Sequence, residues 1–107
     1  SLRAEDSEIK ASAQLMFHRR AYVTPSGHSL PSQMEEALRR TGRETTREGM
    51  TYWADTAILG GDAGIPSIIF GPGGEGYHGL EEYVRSDEVV LCRDALIHLA
   101  RSYCAAG

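Results

Sequence analysis

The chain has 107 residues, of which 41% are hydrophobic and 24% are charged, and its formal net charge is −4. Its length and composition indicate ordinary globular material of one-domain size. Arg and Glu are mixed along the whole chain instead of being segregated, so the basic stripe of a nucleic-acid-binding protein is missing and we expect no nucleic-acid partner.

The cysteines and the apolar residues bear on the cellular compartment. Cys92 and Cys104 fall on one predicted helix, about 18 Å apart at roughly 1.5 Å of rise per residue, so they cannot pair with each other. The sequence has no signal-peptide-like apolar segment and no run of about 18 apolar residues. We therefore expect a cytoplasmic protein with no membrane partner. A part of the protein upstream of Ser1 could still carry a targeting segment.

Residues 1–24 predict the tail of a helix followed by a strand. The first eleven residues are polar and compatible with a helix, and apolar and polar residues alternate from Ala13 to Val23, which is the pattern of a half-buried strand. Thr24-Pro25-Ser26-Gly27 ends this pattern, because proline and glycine two positions apart fit neither a helix interior nor a central strand. We place a domain boundary here, between residues 1–24 and residues 25–107.

A helix is predicted directly after this break. Leu30, Met34 and Leu38 recur at every fourth position, as the apolar face of a helix requires. Pro31 fits the first helical turn, where its missing N–H costs nothing, and Gly42 is a suitable end signal.

The fold class follows from the two elements that come next. Ile65–Phe70 is a nearly continuous apolar run bounded by glycines, which is typical of a strand covered on both faces. From Ser86, a good N-cap, apolar residues repeat at three- and four-residue steps for about 17 residues, which predicts an amphipathic helix. We therefore expect an α/β fold, with a partial sheet and flanking helices.

A glycine-rich turn, Gly71-Pro72-Gly73-Gly74, directly follows the predicted buried strand. In open α/β sheets, ligands bind beyond the carboxyl ends of the strands, and glycine lets a ligand approach backbone N–H groups closely. A plain tight turn is the alternative interpretation. The turn lacks the lysine of a nucleotide-binding P-loop, so we expect no nucleotide phosphate.

Three polar side chains near this turn are candidates for chemistry. His78 lies on the same loop and carries the commonest neutral metal-ligating group, although many loop histidines are merely solvated. Glu82 could accept a hydrogen bond from the other ring N–H of that histidine, or it could belong to a solvated face. Asp55 precedes a short predicted helix, Thr56–Leu59, and could simply cap it.

The order of these features is more specific than any one of them. An aspartate, a short helix, the run AGIPSIIFGPG, a histidine, the tripeptide E-Y-V and a terminal amphipathic helix follow one another. This order strongly resembles the C-terminal end of the aminoacylase and acetylornithine deacetylase family of dinuclear zinc amidohydrolases. That family of metallopeptidases and deacylases also includes succinyl-diaminopimelate desuccinylase and bacterial glutamate carboxypeptidase. The likeness covers Gly49 to about Tyr103 and extends more loosely to the N-terminus.

The resemblance implies a role for each matched residue. His78 falls on the family's last metal ligand, which binds one zinc ion of the pair. The Gly71–Gly74 turn falls on the loop that lines the substrate pocket, with Asp55 on the aspartate of the preceding "T-D" loop and Glu82 on the glutamate of an H-x-x-x-E stretch. Residues 1–24 resemble the last helix and strand of the family's ferredoxin-like lid domain, which commonly forms a dimer interface. The resemblance therefore also implies a homo-oligomer.

The implied reaction is hydrolysis of an N-acyl amino acid or a small peptide-like amide by zinc-activated water. In the family, an H-x-D motif, a glutamate pair and a bridging aspartate all lie upstream of the matched region. We therefore expect a fragment that is inactive alone and is completed by the missing N-terminal part of the same protein. Thr56-Ala57-Ile58 lacks the arginine that desuccinylases use here, which disfavours that specificity.

Two functions of other classes stay open. The chain could be a non-catalytic binding or dimerisation module of the same architecture, or an α/β domain that binds an anion with its glycine turn.

Overall fold

The computed structural model of the protein describes residues 10–105. Helix α1 spans Ser29–Arg39 and helix α2 spans Ser86–Cys104. Between them lie a π-helical turn, Ala57–Asp62, and the strands β1, Gly74–Glu75, and β2, Tyr83–Val84, which form a two-stranded antiparallel sheet. The structure is therefore helix-rich with one small sheet, which agrees only in part with the expected α/β fold.

Local sequence accounts for the bounds of α1. His28 is the N-cap, and its Nδ1 accepts a hydrogen bond of 3.1 Å from the backbone N–H of Leu30. Gly42 follows the helix with a φ of +81°, a left-handed conformation that glycine adopts without a Cβ clash. The helix predicted between Pro25 and Gly42 is confirmed.

The terminal helix is also confirmed, and it is 19 residues long. Its N-cap is Arg85, without a side-chain capping bond, so the cap predicted at Ser86 is wrong by one position. Asp87 and Glu88 lie in the first turn, where negative charge interacts favourably with the helix dipole. No helix within residues 10–105 has the length and apolarity needed to cross a membrane.

The core lies where the two helices cross. Small side chains at this contact, Ala37 and Ala95, allow the helices to approach closely. Partly buried apolar residues from the Ile65–Phe70 segment and from α2 pack against this core. The buried residues of the described chain are Met34, Ala37, Leu38 and Ala95, and those packed against them are Ile68, Phe70 and Leu99.

The strand predicted at Ile65–Phe70 has no strand partner within residues 10–105, and the prediction that both its faces are covered is wrong. Ile68 and Phe70 pack against the helical core, whereas Ile65 and Ile69 are 54% and 50% exposed. The alternation shows a segment with one covered face. A β-ladder needs a second backbone alongside, and the described chain does not supply one here.

The strand predicted from Ala13 to Val23 is likewise not formed, since residues 10–25 have no regular secondary structure. This segment contacts Ser67 through the side chains of Tyr22 and Thr24. The Tyr22 hydroxyl accepts a 3.3 Å hydrogen bond from the N–H of Ser67, and the Thr24 hydroxyl donates a 2.5 Å bond to the Ser67 carbonyl. The predicted helix tail falls mainly on residues 1–9, outside the described residues.

The predicted break after Thr24 is a turn in the structure. The N–H of His28 donates a 2.9 Å hydrogen bond to the carbonyl of Pro25, with Ser26 and Gly27 between them. The bonding pattern is that of an ordinary β-turn. The boundary between residues 1–24 and 25–107 as separate domains stays a prediction.

The chain exposes far more surface than a compact protein of its size. Its accessible surface is 8831 Å² and its radius of gyration is 19.4 Å. A compact protein of this mass would have about 5,900 Å² of surface and a radius of gyration of about 13 Å. Many large apolar side chains are exposed, and the most exposed of them are Leu15, Met16, Phe17, Val23 and Leu80.

Candidate functional site

His78 lies in the loop of a short hairpin. Strand β1 pairs with β2 so that Gly74 faces Val84 and Glu75 faces Tyr83. Residues 76–82 connect the strands, and a 2.7 Å hydrogen bond from the Gly79 N–H to the Gly76 carbonyl tightens the connection. The glycine turn, the histidine and the E-Y-V tripeptide therefore fold as one unit, residues 71–84, which we call the His78 hairpin.

Two glycines of the hairpin have a packing role. A Cβ atom on Gly74 would collide with the carbonyl oxygen of Tyr83 on the facing strand. Gly76 has a φ of +71°, and a Cβ there would collide with the carbonyl of Glu81. Close approach of the two strands thus requires both glycines, independently of any ligand.

The backbone of His78 is in the left-handed region, with a φ of +62°. It is the one non-glycine residue with a positive φ among residues 10–105. Its ring is exposed and lies beside Tyr52, with 6.1 Å between ring centroids, and Tyr77 lies 6.5 Å from the same tyrosine ring. Unfavourable backbone conformation at a polar residue occurs often at functional sites.

The left-handed backbone gives a direct test. His78→Gly should be more stable than His78→Ala by about 1 kcal/mol, because alanine in this conformation brings its Cβ too close to the following carbonyl. Urea unfolding followed by circular dichroism measures the difference. The matched control is His98, inside α2, where the glycine variant should instead be the less stable by about 1 kcal/mol. Equal stability of the two His78 variants would contradict the left-handed assignment.

Asp55 lies on the segment that reaches the hairpin. Its backbone carbonyl accepts hydrogen bonds of 3.0 Å from the N–H groups of both Ile58 and Leu59. The residue that caps the π-helical turn is Thr56, without a side-chain capping bond, so the helix cap predicted at Asp55 is not formed. The Asp55 side chain is exposed, and it lies three residues after Tyr52, whose ring is beside His78.

The part of the chain that the structure describes contains no complete set of metal ligands. His78 and Glu82 are both exposed, and no group of three His, Cys, Asp or Glu side chains within residues 10–105 could hold a metal ion. A catalytic zinc ion takes about three protein ligands. A zinc ion on His78 would therefore need ligands from outside the described residues. The roles of Glu82 and of the zinc pair stay predictions.

The Cys92 thiol does not provide a reactive thiolate. Cys92 and Cys104 are free, as their places on one helix require. Burial, and to a smaller degree the charge of Glu88, raise the pKa of the Cys92 thiol. A raised pKa keeps the thiol protonated and lowers its nucleophilicity.

The carboxylate of Glu88 forms a hydrogen bond with the glycine turn, and the sequence analysis did not identify this residue. The backbone N–H of Gly73 donates a 2.6 Å hydrogen bond to Glu88 Oε2, and Arg85 Nε donates a 2.9 Å bond to Glu88 Oε1. Arg43 Nη2 lies 3.6 Å from the same oxygen. The bond from Arg85 and then that from Gly73 lower the pKa of the Glu88 carboxyl. In the sequence, Glu88 has only the signal of an acidic residue in a first helical turn.

A cleft of about 480 Å³ opens beside residues 67–70. Its walls are residues 21–26, residues 45–50 and residues 52–54, and its floor includes Ile68 and Ile69. The surface that lines the cleft is mostly apolar, and Trp53 in its wall is 52% exposed. Sequence reasoning missed the cleft because the residues that line it come from positions as much as 49 residues apart, from Ala21 to Phe70.

The chain was compared with protein-family models, curated proteins and solved structures, and none of them matches it.

Proposed function

We propose that this chain is the C-terminal part of a zinc-dependent amidohydrolase that acts on an N-acyl amino acid or a small peptide-like amide. The observation that carries the proposal is the order of motifs around His78, which follows the glycine turn and precedes E-Y-V and the terminal helix, and the exposed position of His78 in the hairpin supports it. The turn closed by the Gly79 N–H and the Gly76 carbonyl accounts for the positive φ of His78, since the third residue of a type II turn has a positive φ, and the turn leaves the His78 ring exposed to a ligand. His78 then supplies one ligand to a zinc pair.

The residues of this chain would act by binding and orienting. A bound zinc ion polarises the amide carbonyl and lowers the pKa of its water. His78 contributes a neutral imidazole nitrogen on a hairpin whose base is fixed by hydrogen bonds. The Gly73 N–H already donates to Glu88, so contact with the substrate would come from the rest of the Gly71–Gly74 turn, with Asp55 on the adjacent segment.

The remaining machinery would come from the missing N-terminal part of the same protein. The excess of total exposed surface, about 2,900 Å² over a compact chain, supports a large partner of this kind. Exposed apolar side chains such as Leu15, Phe17 and Leu80 support it as well, because monomers rarely expose large apolar patches. This part would supply the further metal ligands and the general base. The whole protein would be a cytoplasmic homo-oligomer, with residues 1–24 belonging to its dimerisation domain.

The test measures zinc and turnover in the full-length protein. His78→Ala should lower the zinc content and reduce kcat/KM by at least about 100-fold, since a lost ligand costs more than the 10- to 100-fold of a lost supporting carboxylate. His98→Ala, which removes a half-buried histidine of α2, is the control and should retain both metal and turnover.

Two outcomes would contradict the proposal. One is a His78→Ala protein that keeps its full zinc content and full turnover. The other is zinc-dependent amide hydrolysis by the 107-residue chain alone, because one histidine provides too few ligands for a catalytic zinc ion.

The apolar cleft favours a second candidate, a non-catalytic binding or dimerisation module. The upstream reading frame distinguishes the two, since an H-x-D motif there supports the enzyme. An anion site on the glycine turn has less support, because Glu88 already occupies the Gly73 N–H.

A further inference from the structure

The carboxylate of Glu88 contacts both arms of the His78 hairpin at its base. Gly73 immediately precedes β1 and Arg85 immediately follows β2. The Gly73 N–H donates to Oε2 and the Arg85 guanidinium donates to Oε1, while the Arg85 N–H donates a 3.0 Å bond to the Gly73 carbonyl. One side chain on the first turn of α2 thus joins the two arms to each other and to the helix.

The β2 arm of the hairpin runs directly into α2 through Arg85, whereas the β1 arm is joined to that end of the helix by hydrogen bonds. The ladder of the hairpin contains two residue pairs, and an isolated two-stranded hairpin is marginally stable at best in water. Hydrogen bonds to a charged acceptor are stronger than neutral ones. Arg43, beyond the end of α1, adds a second cation 3.6 Å from the carboxylate. The contacts of Glu88 therefore link the hairpin to the ends of both helices.

We propose that Glu88 is a positioning residue that fixes the His78 hairpin on α2 and so sets the direction in which His78 points. Its effect on metal binding rests on the proposed function, whereas its effect on the hairpin does not. The arrangement also explains the glycine at position 73. A Cβ there would collide with the Arg85 guanidinium and the Glu88 carboxylate, so any larger residue displaces these contacts.

Hydrogen exchange of the 107-residue chain, read by mass spectrometry, tests the proposal. Glu88→Ala should speed exchange in residues 71–75 by about tenfold or more, because the Gly73 N–H loses a charged acceptor. Glu88→Gln should have a smaller effect, since its amide oxygen can still accept that bond. The control is Asp87→Asn, which removes a neighbouring first-turn charge and should leave exchange in residues 71–75 unchanged.

A second variant, Gly73→Ala, distinguishes a local change in the hairpin from a loss of stability of the whole chain. Gly73→Ala should also speed exchange in residues 71–75 while residues 29–39 of α1 keep their protection. Unchanged exchange in Glu88→Ala, or an equal increase in Asp87→Asn, would overturn the proposal. An increase spread evenly over the hairpin and α1 in both Glu88→Ala and Gly73→Ala would overturn it as well.

Zinc affinity of the full-length protein separates this proposal from the function. Glu88→Ala should weaken zinc binding by about 10- to 100-fold, as loss of a supporting carboxylate does, with partial recovery in Glu88→Gln. Faster exchange with unchanged zinc affinity would support the positioning of the hairpin and count against the metal site. Unchanged exchange would reject the positioning role, whatever the metal does.

Discussion

The 107-residue chain should form oligomers at micromolar concentration, because it leaves an unusually large apolar surface in water. Its accessible surface of 8831 Å² exceeds that of a compact protein of its mass by about 2,900 Å². A stable protein–protein interface buries about 800 Å² on each partner, so the excess could supply more than one such interface. Light scattering coupled to size-exclusion chromatography measures the mass over a range of concentrations.

Two substitutions distinguish the apolar surfaces that could carry this association. Ile69→Lys places a charge in the cleft, and Phe17→Lys places one on the N-terminal segment, where the phenylalanine is 76% exposed. Each should shift the chain toward monomer if its surface is the contact, since burying a charge opposes association. Ser32→Lys, which adds the same charge on an exposed polar face of α1, should have no effect.

Monomeric behaviour at high concentration would contradict this prediction. It would also weaken the proposal that the chain belongs to a larger protein, because that proposal draws support from the same uncovered surface. If both lysine variants remain oligomeric while Ser32→Lys is unchanged, the contact lies on neither of the two apolar surfaces tested.

The helices could be predicted from the sequence because the information that forms them is local. The four-residue spacing of Met34 and Leu38 specifies the buried face of α1, and Gly42 ends the helix through its own φ. The end positions were less predictable. The cap of α2 falls on Arg85 instead of Ser86, and the π-helical turn continues to Asp62, beyond the predicted helix end at Leu59.

The strands could not be predicted in the same way, because a strand depends on a neighbouring backbone as well as on its own residues. Ile65–Phe70 has the composition of a buried strand, and Ile68 and Phe70 do pack against the core. Its other face has no such cover within the described residues, as the 50% exposure of Ile69 shows. The pattern identified the apolar residues correctly and the surroundings incorrectly.

The residues of the candidate site also differ in whether the sequence could identify them. His78 could be proposed from the order of motifs along the chain, and its left-handed backbone became visible only in the structure. Glu88 could not be proposed, because its partner Gly73 lies 15 residues earlier and neither residue carries a spacing signal for the other. Long-range contacts of side chain with backbone leave no periodic pattern in a sequence.

Ala95→Asp should unfold the two-helix core. Ala95 has no exposed surface, and the described core contains only three other buried residues, so an aspartate here is a buried charge without a partner. The expected cost is several kcal/mol, which is comparable with the whole stability of a small domain. The control is Ala100→Asp on an exposed position of α2, which should cost about 1 kcal/mol or less through helix propensity. Urea unfolding followed by circular dichroism compares the two.

Equal stability of the two aspartate variants would contradict the placement of Ala95 between the helices. The comparison with Glu88→Ala is the more informative one, because α2 carries both residues. Ala95→Asp separates α2 from α1 and should speed hydrogen exchange in residues 29–39 and in the His78 hairpin together. Glu88→Ala should speed exchange in the hairpin alone, since its bonds lie at the first turn of α2 and the Ala95 contact is two turns further along the helix. The hairpin therefore depends on the helical core for its support and on Glu88 for its direction.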